Sequence, residues 1–408
     1  MPDDALPRSQ KIPPRALPRS EAEAIDWLRL ARSRRVGPAT FIRLLREHGS
    51  AAAALAALPG IAAAAGARDY APAARDVAAA EWAAGHATGA RPLLLGTAEY
   101  PALLAAADDP PPFLWALGDA ALPGRRAVAL VGARNASALG SRMAARLARE
   151  LGAAGLAVVS GLARGIDAAA HEAALPTGTV AVVAGGVDVV YPSENADLAA
   201  RIAEQGCLLA EQPMGWEPRA QDFPRRNRII SGLALGVVVV EGAERSGSLI
   251  TARNALDQGR EVMAVPGSPL DPRAGGCNQL IRDGATLVRS AADVIEALAA
   301  FLEAAPAPRR AAAEAPNPRR PPAADPNSPR PPAADPNPRR AAAADPGPPS
   351  SAEGLEGQLL ELLGPVPSPE DLLIRTTGAP AAAVAAALLG LELEGLVSRH
   401  PGGLVSLA

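Results

Sequence analysis

An apolar strand that breaks into a small-residue turn and then a helix, twice in succession, constrains this chain more than any other stretch. Ala127-Val-Ala-Leu-Val131 runs into Gly132-Ala-Arg134-Asn-Ala-Ser137-Ala-Leu-Gly140 and a helix-like run. Leu156-Ala-Val-Val159 then runs into Ser160-Gly161-Leu-Ala-Arg164-Gly165-Ile-Asp167 ahead of a second helix. Strand, turn, helix, strand is a βαβ unit, and parallel strands joined this way place both turns on one edge of a sheet. Further short apolar runs lie near Leu93–Leu95, Thr179–Val183, Cys207–Ala210, Leu235–Val240, Glu261–Val265 and Thr286–Val288. They are apolar on both faces and partly β-branched, as expected of a mostly parallel sheet covered by helices on each side. The expected fold class is α/β, a doubly wound domain over residues 91–303.

The flanks read differently. Residues 1–20 are Pro-rich and are expected to form a disordered tail. Residues 21–90 predict short helices punctuated by Val36-Gly37-Pro38 and Leu58-Pro59-Gly60-Ile61, a pattern compatible with tandem helix-hairpin-helix (SAM-like) units or with a plain helical packing module. Residues 304–353 carry near-copies of a Pro/Arg/Ala/Asp segment at Pro321, Pro331 and Ala341, a low-complexity linker. Residues 354–408 predict three helices and a Gly-tipped hairpin, a winged-helix arrangement, with Ser368 as N-cap and Pro369 at the first position of the second helix. The third helix, Ala381 to Leu393, has no Arg, Asn or Gln to read bases, which favours a protein-contact role over duplex readout.

A length of 408 residues accommodates roughly two or three domains. The formal net charge of -3 restricts any polyanion site to a local patch, and since Lys11 is the sole lysine, that patch must be built from arginine. Cys207 and Cys277 have no zinc spacing and read as small buried hydrophobes. No apolar run reaches ~18 residues and no signal-type h-region stands at the start, so a cytoplasmic protein without a membrane span is expected.

The first turn has Arg134 where a dinucleotide fingerprint needs its second glycine and Ser137 where it needs its last, which disfavours NAD. No Gly-x-x-x-x-Gly-Lys-Ser/Thr occurs, which disfavours a P-loop. What remains is a set of phosphate donors with no cofactor and no metal motif. Ser137 is placed to cap its helix and leave amides free, Arg134 offers a planar fork, and Ser160, Gly161, Arg164 and Gly165 repeat the device one strand over. Gly185-Gly186-Val-Asp188 leading to Tyr191-Pro192-Ser-Glu-Asn195, the run Phe223-Pro-Arg225-Arg226-Asn227-Arg228, Arg245-Ser246-Gly247-Ser248 and Gly275-Gly276-Cys-Asn278 belong to the same edge. Asp167 and His171 form a candidate acid/base pair or a plain cap. Asp188, Glu211 and Glu241 near strand ends are candidate Mg²⁺ ligands with no recognisable spacing. Phe223, Trp216 and Tyr191 are candidates for base stacking or for the core.

In family order, Val131-Gly-Ala-Arg-Asn-Ala-Ser, Ser160-Gly-Leu-Ala-Arg-Gly-Ile-Asp-Ala-Ala-Ala-His171, Gly185-Gly-Val-Asp-Val-Val-Tyr-Pro-Ser-Glu-Asn195, Phe223-Pro-Arg-Arg-Asn-Arg-Ile-Ile-Ser231, Ser246-Gly-Ser-Leu-Ile-Thr-Ala-Arg253 and Gly276-Cys-Asn-Gln-Leu-Ile281 resemble the DNA-processing protein A family (DprA, also called Smf). The resemblance implies an extended Rossmann-like domain that binds single-stranded DNA, protects incoming strands during natural transformation and loads a RecA-type recombinase. It also implies a homodimer, an N-terminal helical domain and a C-terminal winged helix, with a single-strand-binding protein as a further partner. Carried over, Arg134 matches the strand-binding arginine, Arg164 stands where lysine is frequent, and Phe223, Arg225, Asn227 and Arg228 match the motif lining the groove. Gly132, Ser137, Ser160, Gly161, Gly165, Ser246, Gly247 and Ser248 complete the expected DNA-binding set, with no catalytic residue. The rival expectation is a nucleotide-processing enzyme or nucleotide sensor using Asp167 and His171.

Overall fold

The computed structural model describes residues 12–64, 69–304, 352–363, 368–393, 396–400 and 404–407. They form two units, 12–304 and 352–407. Residues 1–11 of the expected tail and 305–351 of the expected linker lie outside the described residues.

Ser20 caps α1 (Glu21–Arg32) by accepting from the Glu23 amide at 3.3 Å. Pro38 starts α2 (Pro38–His48) after Gly37, and Gly49 ends it in the left-handed region. The turn expected at Val36-Gly37-Pro38 is thus present. That expected at Leu58-Pro59-Gly60-Ile61 is not, because α3 (Ala51–Ala64) runs straight through it. An interior proline costs about 3 kcal/mol, which the alanine-rich flanks, the strongest helix formers, and the burial of Leu55 and Leu58 offset. After α4 (Arg75–Ala87) the chain enters the sheet. The helices share one core with it: the Trp27 indole N–H donates to the Pro112 carbonyl at 2.9 Å, and the Trp82 and Trp115 rings stand 5.9 Å apart. Order reaches further toward the start than the composition suggests. Ala16 is buried, and Ile12 and Leu17 pack at Gly96.

The sheet has nine strands: β1 (Arg91–Leu94), β2 (Phe113–Gly118), β3 (Ala127–Val131), β4 (Ala157–Ser160), β5 (Thr179–Val182), β6 (Cys207–Ala210), β7 (Gly236–Val239), β8 (Glu261–Ala264) and β9 (Thr286–Leu287). Their order is β1-β2-β6-β5-β4-β3-β7-β8-β9, parallel from β6 to β9 and antiparallel at β2 and β1. The connecting helices are α5 (Ala102–Ala105), α6 (Ala138–Ala153), α7 (Ile166–Ala174), α8 (Ala196–Gln205), α9 (Asp222–Leu233), α10 (Ser248–Asp257) and α11 (Gly275–Arg282), followed after β9 by α12 (Ala291–Ala297) and α13 (Ala299–Ala304). Alternation at period two sends Val128 and Leu130 toward α6, α7 and α12, and Ala127, Ala129 and Val131 toward α9 and α10. The chain winds outward from β3 through β4, β5 and β6, then α9 returns it to β7 on the other side of β3. The carboxyl end of β3 is therefore the topological switch point.

The second unit packs α14 (Ala352–Leu362), α15 (Glu370–Thr377) and α16 (Ala381–Leu393) on β10 (Ser368–Pro369), β11 (Val397–His400) and β12 (Leu404–Leu407), around Leu359, Leu373, Val384, Leu388 and Val405. It is the expected winged helix, with one correction. Ser368 does not cap α15; it pairs with Val405 of β12, and Pro369 is the uncapped N-cap. The extended backbone that proline favours makes the pair an edge strand instead. No helix among the described residues is long and apolar enough to cross a membrane.

Candidate nucleic-acid interface

At the switch point, Ser137 caps α6 as expected, accepting from the Gly140 amide at 2.9 Å. Its own amide and hydroxyl, however, both donate to the Glu241 carboxylate, the amide at 2.8 Å. Glu241, from the turn after β7, rests where a Cβ on Gly140 would lie. The positive end of α6, ordinarily a phosphate seat, thus holds an internal anion. Gly132 serves the same packing, since a Cβ there would meet Ile166 and the Glu241 carbonyl. Of this turn, Arg134 is what reaches outward; its guanidinium lies over the Phe223 ring at 5.3 Å.

The turn after β4 is anchored from within. Ser160 is fully buried, its hydroxyl donating to the Leu130 carbonyl at 2.6 Å, so it presents nothing to the edge. Leu162 adopts a φ of 56°, and both its polar groups are held: its amide by His171 Nε2 at 3.3 Å, its carbonyl by Asn195 Nδ2 at 2.9 Å. The Asp167 carboxylate accepts from the Gly161 amide at 3.1 Å and the Ala163 amide at 3.4 Å. Gly165, at φ 76°, presses on the Ala133 and Arg134 carbonyls, so the two turns touch backbone to backbone. Arg164 projects outward, with a loose ion pair to Glu194 at 3.3 Å between two well-exposed side chains.

Asp167 and His171 therefore hold the turn from within. His171 is fully buried; Nδ1 faces Thr179 Oγ1 at 2.7 Å, and Thr179 in turn donates to the Val158 carbonyl. That chain of donors assigns the proton to Nδ1 and leaves Nε2 to accept from Leu162. Burial, with the nearby Arg226 charge, pushes the imidazole pKa down to about 3, and burial raises that of Asp167.

Helix α9 completes the site. Its buried face carries Asp222, Arg226, Ile229, Ile230 and Leu233, one stripe at helical spacing. Phe223, one residue round, is half-buried and lies 5.5 Å from Tyr191, which is 51% exposed. Arg134, Gly161, Arg164, Tyr191, Phe223 and Arg226 line one shallow depression on the carboxyl edge. Two outward guanidinium groups, an aromatic pair and a buried arginine meet there.

The remaining expected residues divide. Arg225 is exposed and has no ion-pair partner among the described residues. Asn227 donates weakly to the Gly247 carbonyl at 3.4 Å, which joins α9 to the next turn, where the Ser246 and Ser248 hydroxyls bond each other at 2.8 Å and Ser248 is buried. Arg228 does not join the depression. It is spent on both oxygens of Glu211, each at 2.7 Å, and on Asp109. Trp216 is held by Asp222 at 3.1 Å and covered by Arg219. The three carboxylates weighed for Mg²⁺ do not meet: Asp188 accepts from the Gly215 amide, Glu211 pairs with Arg228, and Glu241 holds Ser137. No cluster of three metal-ligating side chains occurs among the described residues. Arg226, read in sequence as one more arginine of the donor edge, is instead buried, and its role behind the Gly161 turn is what the sequence did not disclose. The period of α9 placed it on the apolar stripe, but an arginine is by default read as solvated.

A doubly wound sheet with a Rossmann-like switch point, its helix seat closed by a carboxylate and its cationic depression one strand over, defines the class. The chain belongs to the DNA recombination-mediator protein A family, whose model matches residues 91–299, with a DprA-like N-terminal HHH domain matched over 21–84 and a DprA winged helix domain over 305–403. It is 46% identical over 213 residues to the DNA processing protein DprA of Bacillus subtilis (strain 168), covering 52% of this chain and 72% of that one. It is 37% identical over 312 residues to Protein Smf of Escherichia coli (strain K12), covering 76% and 75%. The X-ray structure of DNA processing protein A from Streptococcus pneumoniae superposes with a TM-score of 0.56 at 34% identity, covering 68% of this chain and 98% of that one. The family is one of DNA-binding recombination mediators, and DNA processing is its setting.

Proposed function

We propose that this protein binds single-stranded DNA without sequence preference, shields the strand, and passes it to a RecA-type recombinase in the cytoplasm, working as a homodimer and alongside a single-strand-binding protein. The observation that carries the reading is the meeting of Arg134, Arg164, Tyr191 and Phe223 on one depression. Guanidinium forks suit phosphate oxygens, and an exposed aromatic pair suits the open face of an unpaired base. Neither Asn nor Gln lines the depression among the described residues, and its outward arginines are matched to phosphate forks, which supports backbone recognition. The nucleotide-enzyme reading loses its apparatus: Asp167 and His171 are consumed by the turn they support, and Glu241 fills the seat a nucleotide phosphate needs. In the winged helix, the alanine-rich α16 supports a protein contact rather than base readout.

The test is a binding titration of single strand, duplex and mononucleotide competitors at several salt concentrations. With ~5 phosphates neutralised, log K should fall with log salt at a slope of about -3.5, roughly a hundredfold between 50 and 200 mM. Arg134→Ala with Arg164→Ala should weaken all sequences alike and reduce the slope by about 1.4. Unchanged binding in that double variant, or marked base preference in the wild type, would sink the proposal.

A further inference from the structure

The Gly161–Gly165 turn is more firmly held than its exposure requires, and one element of its support comes from 65 residues downstream. Arg226 is 7% exposed, on the apolar stripe of α9. Its Nη1 donates to the Gly161 carbonyl at 2.5 Å and also to the Val182 carbonyl. Gly161 directly follows β4 and Val182 ends β5, adjacent parallel strands whose last pair is Ser160 with Ala181. One cation thus ties two strand ends together where their ladder stops. The space beside Gly161 is filled by the same guanidinium, so that a Cβ there would collide with it. Burying a charge is expensive unless it is paired, and here it faces Asp167, whose carboxylate holds the opposite side of the turn through the Gly161 and Ala163 amides. Arg226 Nε has no hydrogen-bond partner among the described residues, which marks the site as one where burial outweighs full satisfaction.

Resting on the strand-binding reading above, we infer that Arg226 is a positioning residue: with Gly161 it fixes the turn that aims Arg164, and it does not itself contact the strand. A turn whose Gly161 and Leu162 amides and carbonyls and Ala163 amide are all anchored needs little reordering when a polyanion arrives, so most of the ordering entropy is already spent in folding. The consequence is specific. Gly161 and Arg226 act as one unit, and disturbing either should move Arg164 without removing a phosphate contact.

The full-length chain with Arg226→Met, Arg226→Lys, Gly161→Ala or Gly161→Ala/Arg226→Met would be titrated with an oligothymidylate at several salt concentrations, alongside urea unfolding and amide hydrogen exchange of residues 161–165. Arg226→Met should weaken binding roughly tenfold at every salt concentration, the scale of ordering a loosened turn on binding, with the salt slope unchanged. Arg226→Lys, able to reach one carbonyl but not fork, should fall between. Gly161→Ala should weaken binding comparably, and the double variant should be no worse than the poorer single, since both disturb one unit. The 161–165 amides should exchange faster in each variant. Folded Arg226→Met that binds as wild type, or a slope reduced by about 0.7, the signature of one lost phosphate contact, would overturn the inference. Should Arg226→Met fail to fold, Gly161→Ala and Arg226→Lys carry the same comparison. A wild type that binds no strand defeats the function proposed above; unaltered exchange in the turn defeats this inference independently.

Discussion

The turns after β3 and β4 have the same equipment in sequence, a glycine, small residues and an arginine ahead of a helix, yet the structure supports them with opposite charges. Behind the first stands Glu241, an anion lodged in the helix terminus; behind the second stands Arg226, a cation clamped to the strand ends. The first has the Ser137 amide at its helix terminus taken by Glu241 and offers Arg134 to an outside ligand. The second has its amides occupied as well, by Asp167 and His171, and offers Arg164. A phosphate-type turn is therefore a scaffold whose use is decided by what a distant segment inserts behind it. Here both scaffolds have become rigid mounts for a side chain.

Four measurements would break or sharpen this contrast. The largest effect is expected where the mounts touch. Gly165→Ala must place a Cβ against the Ala133 and Arg134 carbonyls at a positive φ, and should cost at least about 3 kcal/mol by urea unfolding. A loss below ~1 kcal/mol would mean that the turns are not locked together. Glu241→Ala comes next: removing the partner of the Ser137 amide and hydroxyl should destabilise by about 2 kcal/mol while leaving strand affinity undiminished. A weaker strand complex from a stable Glu241→Ala would show that the closed seat takes part in binding.

The pH dependence separates the turns further, because only the second rests on a buried histidine. The folded pKa of His171, about 3, lies below its unfolded value, so the unfolded chain takes up a proton first as pH falls. The stability that neutral His171 contributes is intact above about pH 6.5 and is lost toward pH 3, at up to about 1.4 kcal/mol per pH unit. Asp167, whose pKa is raised by burial, offsets part of this, since the folded state takes up its proton before the unfolded one does. Urea unfolding of wild type and His171→Gln at pH 7, 5.5 and 4 should show a shallower decline in the variant. The smallest effect belongs to the rim: Glu194→Gln frees Arg164 of an exposed ion pair and should tighten strand binding by about twofold or less.

The strands were legible because Val128, Leu130, Val158, Val180 and Val238 lie in short apolar runs that a two-sided parallel sheet requires, and the start of α6 because Ser137 is a good cap. Arg134 and Arg164 were legible as outward cations since each sits in a turn too short to bury a guanidinium. What escaped was long-range. Glu241 lies 104 residues from Ser137, and Arg226 65 residues from Gly161, and local chemistry names neither partner. Arg228 was misjudged for the same reason: its neighbours in sequence suggest a phosphate ligand, while Glu211 and Asp109 neutralise it from other elements. Ser160, a hydroxyl at a strand end, looked available to a ligand because nothing nearby shows that Leu130 claims it.

The tie between Trp27 and Pro112 bears on how this molecule can be taken apart. With Trp82 over Trp115, and Arg32 bridging Glu81 to the Glu211 carbonyl, the four leading helices act as the lid of the aromatic strand β2. A fragment trimmed to begin at Arg91 would bare Phe113 and Trp115 to solvent and be prone to clump. Any chimera exchanging pieces between relatives has to move residues 12–304 as a single block.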